Sequence, residues 1–354
     1  MPPDEELGFG TRAIKAATRV PQVEQNPSAV PIYQAATFHA SDVDDYAELV
    51  GFERPGYTYA RLENPTADAM ASAFAELHGA PAGFAFGSGM GAIHATLLSL
   101  LGAGDRVVCT RAVYGSTRAL LERVLARLGI EVVLVDPVDL AAVERALAEA
   151  PTRLLYAETI SNPTIVVADL VRLAELGHRH GATVVVDNTF ASPYLCRPLE
   201  SGVDLVVESA TKWLSGHSDV VAGVVAGDRE RIEAVRTVAV DTGGIAAPLS
   251  AFLVLRGMQT LHVRMDRHSA SATRIAAHLE AVDTVRRVAY PGLPSHPQAD
   301  LAAQRLRSGG GMLAFELDGR EAAAGFIDGL RIPPVTATLG SVVTYAVHPP
   351  SATH

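Results

Sequence analysis

Ser209-Ala210-Thr211-Lys212-Trp213-Leu214-Ser215-Gly216-His217 is the stretch from which the rest of the chain is read. Of 29 basic residues, only Lys15 and Lys212 are lysines. A guanidinium stays protonated and forms no imine, whereas a lysine amine in apolar or cationic surroundings loses its proton and attacks a carbonyl. An arginine-rich chain tolerates arginine at solvated positions. A lysine kept just after the apolar run Leu205-Val206-Val207 therefore points to chemistry, provided that partners for it lie elsewhere in the chain.

The 354 residues suffice for a large core and suggest two domains. Hydrophobic residues at 48% and charged ones at 19% describe a globular protein, and a formal charge of -10 disfavours nucleic acid or an acidic membrane as partner. Cys109 and Cys196 are the only cysteines and lack CxxC or metal-finger spacing, so both are read as buried and inert, in a reducing compartment. No apolar run approaches the roughly eighteen residues that span a bilayer, and residues 1–10 lack a basic-then-apolar pattern; the expected setting is cytoplasmic, without a membrane partner. His178 and His180 read as helix-end residues, and His217 and His268 have no ligand partners at metal spacing, so no metal is assigned.

Working outward from the lysine, continuously apolar strands alternate with helical patterns. Strands are expected at 83–86, 106–109, 131–135, 154–157, 183–186, 205–207 and 221–225, with helices at 66–78, 116–128, 139–149 and 169–180. Gly87-Ser88-Gly89-Met90-Gly91 opens a further helix that runs to Leu101. This texture predicts an α/β fold around a mostly parallel sheet covered on both faces. Residues 1–60, with prolines at 21, 27, 31 and 55, read as an extended arm, and 61–245 as the large domain. Residues 246–354 read as a smaller α+β domain, cut short at its end, with a long or kinked helix at 248–279, strands at 285–289, 312–317 and 342–347, and a helix at 322–329.

Ligands of such sheets bind at the carboxyl ends of strands. Ser88-Gly89-Met90 offers backbone N–H groups at a helix N-terminus, an anion site suited to phosphate. Gly87, Gly89 and Ala92 also fit a dinucleotide-binding loop. That rival wants an acidic residue at the end of the next strand, and Cys109-Thr110-Arg111 supplies none, so an Arg111 reading for a 2'-phosphate survives only weakly. Asp187 ends the fifth strand, and a pyridoxal cofactor joined to Lys212 needs such a carboxylate at its ring nitrogen. Ser209 and Thr211 add hydroxyls beside the phosphate loop, and Tyr114 is placed to stack on the ring.

With these residues in view, the chain resembles the pyridoxal-phosphate enzymes of cysteine and methionine metabolism, which include cystathionine γ-synthase, cystathionine γ-lyase, methionine γ-lyase and the O-acylhomoserine sulfhydrylases. The likeness spans nearly the whole chain and rests on Tyr59-Ala60-Arg61, Asn64-Pro65-Thr66, Gly87 to Gly91, Glu158 to Pro163, Val185 to Thr189, Ser209 to His217 and Arg264 to His268. It implies a fold-type-I, aspartate-aminotransferase-like subunit, pyridoxal 5'-phosphate as cofactor and Lys212 as the lysine that joins it. It also implies a homotetramer, a dimer of dimers, in which Tyr59 and Arg61 reach the phosphate of the neighbouring subunit; an i, i+2 pair on an extended segment points both side chains one way. By the same likeness Asn162, Glu158 and Thr338 lie on the substrate side. Ile160 stands where relatives usually have proline.

The resemblance implies removal of the substrate's α-proton by Lys212, with Tyr114 assisting as acid or base, and loss of the γ-substituent after a second deprotonation at Cβ. The outcome is γ-elimination of a methionine, homocysteine or cystathionine to 2-oxobutyrate, ammonia and a thiol; γ-replacement on an O-acylhomoserine is the alternative. Ala337 replaces the glutamate common in cystathionine-handling relatives, which points away from cystathionine as the substrate. The segments most resemble methionine γ-lyase, yet Ser116 replaces its typical cysteine and Ala239-Val240-Asp241 lacks its usual lysine. Gly115-Ser116-Thr117 and residues 348–354 are similar to O-succinylhomoserine sulfhydrylases. The sequence ends at His354, before the region where relatives keep the arginine that clamps the substrate carboxylate, so either a tail follows or substrate binding is impaired. In the second case a cofactor-binding scaffold without turnover is the remaining reading.

Overall fold

The computed structural model describes residues 7–19, 27–51 and 53–352. Seven strands make the central sheet: β1 Ala82–Phe86, β2 Arg106–Thr110, β3 Glu131–Val135, β4 Leu154–Glu158, β5 Thr183–Asp187, β6 Leu205–Glu208 and β7 Gly223–Gly227. Their order across the sheet is β1-β7-β6-β5-β4-β2-β3, and only β7 runs against its neighbours. Because β7 is antiparallel to both β1 and β6, β1 points the same way as β6, so the carboxyl ends of β1, β6, β5, β4 and β2 share one edge. The turns that carry Gly89, Tyr114, Asn162, Asp187 and Lys212 all leave from that edge.

The strands are apolar throughout because helices cover both faces. Val184, Val186 and Val206 face the core beneath α1 (Phe9–Thr18) and α3 (Pro65–His78), whereas Val185, Val207 and Tyr156 face the one beneath α4 (Gly89–Leu100). Period-two alternation then assigns the strand-end residues. Asp187 continues the row of Val185, and Asn188 that of Val186. The helices start where caps dictate. Asn64 Oδ1 accepts from Thr66 N–H ahead of Pro65, and Asp139 and Asp169, expected to be the first helical residues, are N-caps that accept from Ala142 N–H and Arg172 N–H of α6 (Leu140–Glu149) and α7 (Leu170–Arg179).

Several expectations need correction. The arm is not extended throughout: besides α1 it contains α2, Val43–Val50, while Pro21 falls outside the described residues. Its helical period escaped notice because the buried stripe of α1 is Ala13, Ala16 and Ala17, small side chains that allow close packing on α3 without large apolar residues. The helix at 116–128 is α5 (Gly115–Ala119), then a π-turn over Leu120–Leu125 and a 3-10 turn over Ala126–Leu128. After the short α8, Ser192–Leu195, and the unforeseen α9, Arg229–Thr242, the long helix is divided at Gln259 and Thr260 into α10, Pro248–Met258, and α11, Leu261–Glu280.

Beyond it, β8 (Arg287–Ala289) pairs antiparallel with β9 (Ala314–Glu316), flanked by α12 (Ala299–Arg305) and α13 (Gly319–Asp328). The strand expected at 342–347 does not form. Among the described residues this stretch finds a single bridge, Val335 to Ala346, and Val342 is 63% exposed; an alternating apolar pattern makes a strand only where a ladder and a buried face exist.

Candidate functional site

The edge is assembled by two turns that touch. Ser88 caps α4, its Oγ accepting from Gly91 N–H at 3.0 Å. The N–H groups of Gly89 and Met90 have no protein partner among the described residues. A side chain at position 89 would put its Cβ 2.7 Å from that of Ser209, so glycine is required for the β1–α4 turn to meet the β6 turn. Ser209 is held in turn by its N–H donating to Thr189 Oγ1 at 2.8 Å, and Thr189 N–H donates to Asp187 Oδ1 at 2.9 Å. Thr189 thus links the carboxylate to the lysine turn, a role its place in Asp187-Asn188-Thr189 suggests only in hindsight. Thr211 lies in the same turn, but its hydroxyl exchanges hydrogen bonds with the backbone of Ala222, donating to the carbonyl at 3.2 Å and accepting from the N–H at 3.1 Å.

Lys212 is half-buried, and its Nζ donates to Thr338 Oγ1 at 3.2 Å. Burial draws the amine's pKa down, in the direction that frees its lone pair. Asp187 is buried, and burial pushes its pKa up against the opposing effect of the Thr189 hydrogen bonds. A buried carboxylate in this state is stabilised by a cation brought to it. Glu158 pairs with Asp187 across β4 and β5; burial first, then the Asp187 charge, hold its pKa well above the carboxylate range. Its two oxygens accept from Tyr114 N–H at 2.6 Å and Asn162 N–H at 3.2 Å, so Glu158 orients the two expected ligand-side residues from behind. Tyr114 itself is 38% exposed.

On the opposite face of the same strand ends runs a buried polar row that sequence reasoning missed. Asn188 Nδ2 donates to Glu208 Oε1 at 2.8 Å, Thr159 Oγ1 donates to Asn188 Oδ1 at 2.7 Å, and His78 Nε2 lies 3.0 Å from Glu208 Oε1. Burial raises Glu208 and lowers His78 to about 3, so burial favours the uncharged form of each. Their apolar flanks hid them; a strand ending in Val-Val-Glu was the available signal.

Tyr59 and Arg61 lie apart from these contacts. The Tyr59 segment pairs with Thr37, and Arg61 Nη1 donates to the Val240 carbonyl at 2.7 Å while its guanidinium stands 5.5 Å from the Tyr59 ring centre. Both cysteine thiols are buried, and burial raises Cys196 to about 12. Among the described residues no group of three or more His, Cys, Asp or Glu side chains is placed to hold a metal, and no helix is long and apolar enough to cross a membrane.

The residues fit pyridoxal phosphate. The two unclaimed N–H groups at the start of α4, the Gly89 cradle and the Ser88 and Ser209 hydroxyls suit a phosphate. Asp187 suits a ring cation, and a desolvated Lys212 suits an aldehyde.

Comparison with known proteins agrees. The family model described as Cys/Met metabolism PLP-dependent enzyme matches residues 10–354. The chain is 43% identical over 350 residues to the L-methionine gamma-lyase of Pseudomonas putida, covering 98% of this chain and 87% of that protein. It is 39% identical over 327 residues to the cystathionine beta-lyase of Lactococcus lactis subsp. cremoris, covering 92% and 83%. Among solved structures, metB from Corynebacterium glutamicum matches with a TM-score of 0.93 at 36% identity, over 99% of this chain and 90% of that one. Cystathionine gamma synthase from Xanthomonas oryzae pv. oryzae in complex with cystathionine matches at 0.92 and 36%, over 98% and 88%.

Proposed function

The chain belongs to the Cys/Met metabolism PLP-dependent enzymes, and on that premise we propose that it catalyses γ-elimination on a methionine-type sulfur amino acid, releasing 2-oxobutyrate, ammonia and a thiol. Its fold is the α/β fold of the type-I pyridoxal-phosphate enzymes. The observation that carries the reaction is the likeness to methionine gamma-lyases from several bacteria, at 38 to 43% identity over nearly the whole chain.

Bound pyridoxal phosphate supplies an electron-withdrawing ring that acidifies the bonds at the substrate's α-carbon. Ser88, Gly89, Met90 and Ser209 would hold its phosphate, and Asp187 would hold a positive charge at the far end of the ring. Lys212, drawn below the ordinary lysine range by burial, accepts the α-proton and returns it elsewhere on the substrate. Tyr114, fixed by its backbone bond to Glu158, stands at the rim as acid or base. Thr338 and Asn162 orient the substrate. Tyr59 and Arg61 serve the neighbouring subunit of a homotetramer, and the setting is cytoplasmic.

A second reading, γ-replacement on an O-acylhomoserine, draws support from the cystathionine gamma synthase structures that the fold matches. Incubation with methionine, homocysteine, cystathionine, and O-acylhomoserine plus sulfide separates the two. Elimination predicts 2-oxobutyrate from methionine without an added thiol. A thiol product from the acylhomoserine, with no 2-oxobutyrate from methionine, would establish replacement instead.

A further inference from the structure

The Lys212 turn is fastened from behind by an arginine to which the proposed chemistry assigns no role. Arg264, in the first turn of α11, is 7% exposed. Its Nη1 donates to the Trp213 carbonyl at 2.7 Å, its Nη2 to the Gly257 carbonyl at 2.7 Å and the Leu214 carbonyl at 3.5 Å, and its Nε to Thr260 Oγ1 at 3.1 Å. Among the described residues it makes no ion pair, and burial lowers its pKa to about 10. An unpaired buried cation is costly and persists where oriented carbonyl dipoles replace water.

Those dipoles follow Lys212 directly. The turn is a short helical coil, with Lys212 N–H donating to the Ser209 carbonyl at 3.1 Å, Ser215 N–H to that of Ala210 at 3.1 Å and Gly216 N–H to that of Lys212 at 2.9 Å. Such a coil leaves carbonyls unsatisfied at its end, and Arg264 caps those of residues 213 and 214. The chain leaves by Gly216 at φ +74°, where a Cβ would lie 2.3 Å from the guanidinium carbon. Glycine is thus needed twice over, for its backbone conformation and for access of the arginine. Trp213 is pinned on its other side, its Nε1 donating to the Phe190 carbonyl at 3.0 Å and its ring centre 4.9 Å from that of His268. Burial first, and then the Arg264 charge, lower the pKa of His268, one turn along α11.

We propose that Arg264 is a positioning residue that sets where the Lys212 amine stands and how far it is desolvated. The proposal rests on the reading of Lys212 as the lysine that joins the cofactor. An arginine that merely stabilised the fold would leave the titration of that amine unmoved in any variant that still folds.

The chain's two lysines make the test clean, because Lys15 serves as an internal reference. The full-length protein as isolated is reduced with borohydride and its peptides mapped, which tests the reading of Lys212. Acetylation of Lys212 relative to Lys15 is then followed against pH in cofactor-free full-length protein, for the parent, Arg264→Gln and Arg264→Lys, with far-UV circular dichroism as the check on folding. In the parent the Lys212 midpoint falls below the ordinary lysine value. In the variants it rises toward the ordinary lysine value, and Arg264→Lys, which keeps the charge without the planar fork, does not rescue it. Gly216→Ala, which displaces the guanidinium from the opposite side, reproduces the shift if Arg264→Gln does not fold. A folded variant with an unmoved midpoint overturns the positioning role alone. A parent in which borohydride leaves Lys212 unlabelled overturns the reading of the site itself.

Discussion

The carboxyl edge of the sheet and the segments laid against it hold their residues by different means. At the edge, Glu158 and Asp187 sit side by side because β4 and β5 fix their register, and both find backbone N–H donors while buried. The overlying residues have no such frame. Tyr59 is 43% exposed, and Thr338 stands on a stretch outside the sheet that is held by the Val335–Ala346 bridge, a Ser218–Tyr345 hydroxyl contact, the packing of Leu339 and its own bond to Lys212, with Val335 and Val342 open to solvent. Strand register fixes the spacing of the first pair, whereas loop contacts set the place of the second.

The sharpest way to break this contrast is Asp187→Asn. It preserves shape but removes the charge expected to face the cofactor ring, and turnover should fall by about 10²–10⁴-fold with circular dichroism unchanged. Retention of most of the turnover would mean that the edge does not carry the chemistry.

A smaller effect belongs to Asp68, at the junction of the arm with α3. Burial raises its carboxyl to about 6, partly offset by a hydrogen bond with Tyr57. The folded value lies above the unfolded one, so the fold favours the protonated form. The contribution of this one group to stability is therefore most favourable below about pH 4 and is lost as pH rises through about 6. Asp68→Asn should raise the unfolding free energy at pH 7.5 by on the order of 2 kcal/mol allowing for partial exposure, seen as a higher melting temperature, and leave it near the parent's at pH 4. An equal gain at both values would show that the carboxyl charge is not responsible.

The smallest expected effect is that of Thr338→Val, which removes the hydroxyl that Lys212 reaches. It should change KM by roughly 2–10-fold and kcat by less, since a single hydrogen bond on an exposed stretch is lost. A loss in kcat above about 100-fold would put Thr338 with the edge residues and erase the distinction.

How much was legible before folding follows the same division. The strands of the large sheet were readable because burial on both faces forces a continuous apolar run, and Asp187 and Lys212 stood out as polar residues at or just after the ends of such runs. Glu208 ended another and was passed over, because its partner His78 lies 130 positions away and no local pattern links them. The 342–347 stretch misled for the converse reason: its alternation is a local property, whereas a strand also needs a neighbour.

The sequence alone determined the α/β class, the order of the sheet strands along the chain and a glycine turn suited to an anion, and it singled out one lysine as the candidate for imine chemistry. These follow from local periodicity and from residue chemistry. Tertiary structure decided that β7 runs backwards and so brings the ends of β1 and β6 to one edge, that Gly89 meets Ser209, and that Arg264 caps the turn from a helix fifty residues away. Such contacts join segments whose spacing along the chain carries no signal, and only the packing of the sheet and its helices brings them within hydrogen-bond reach.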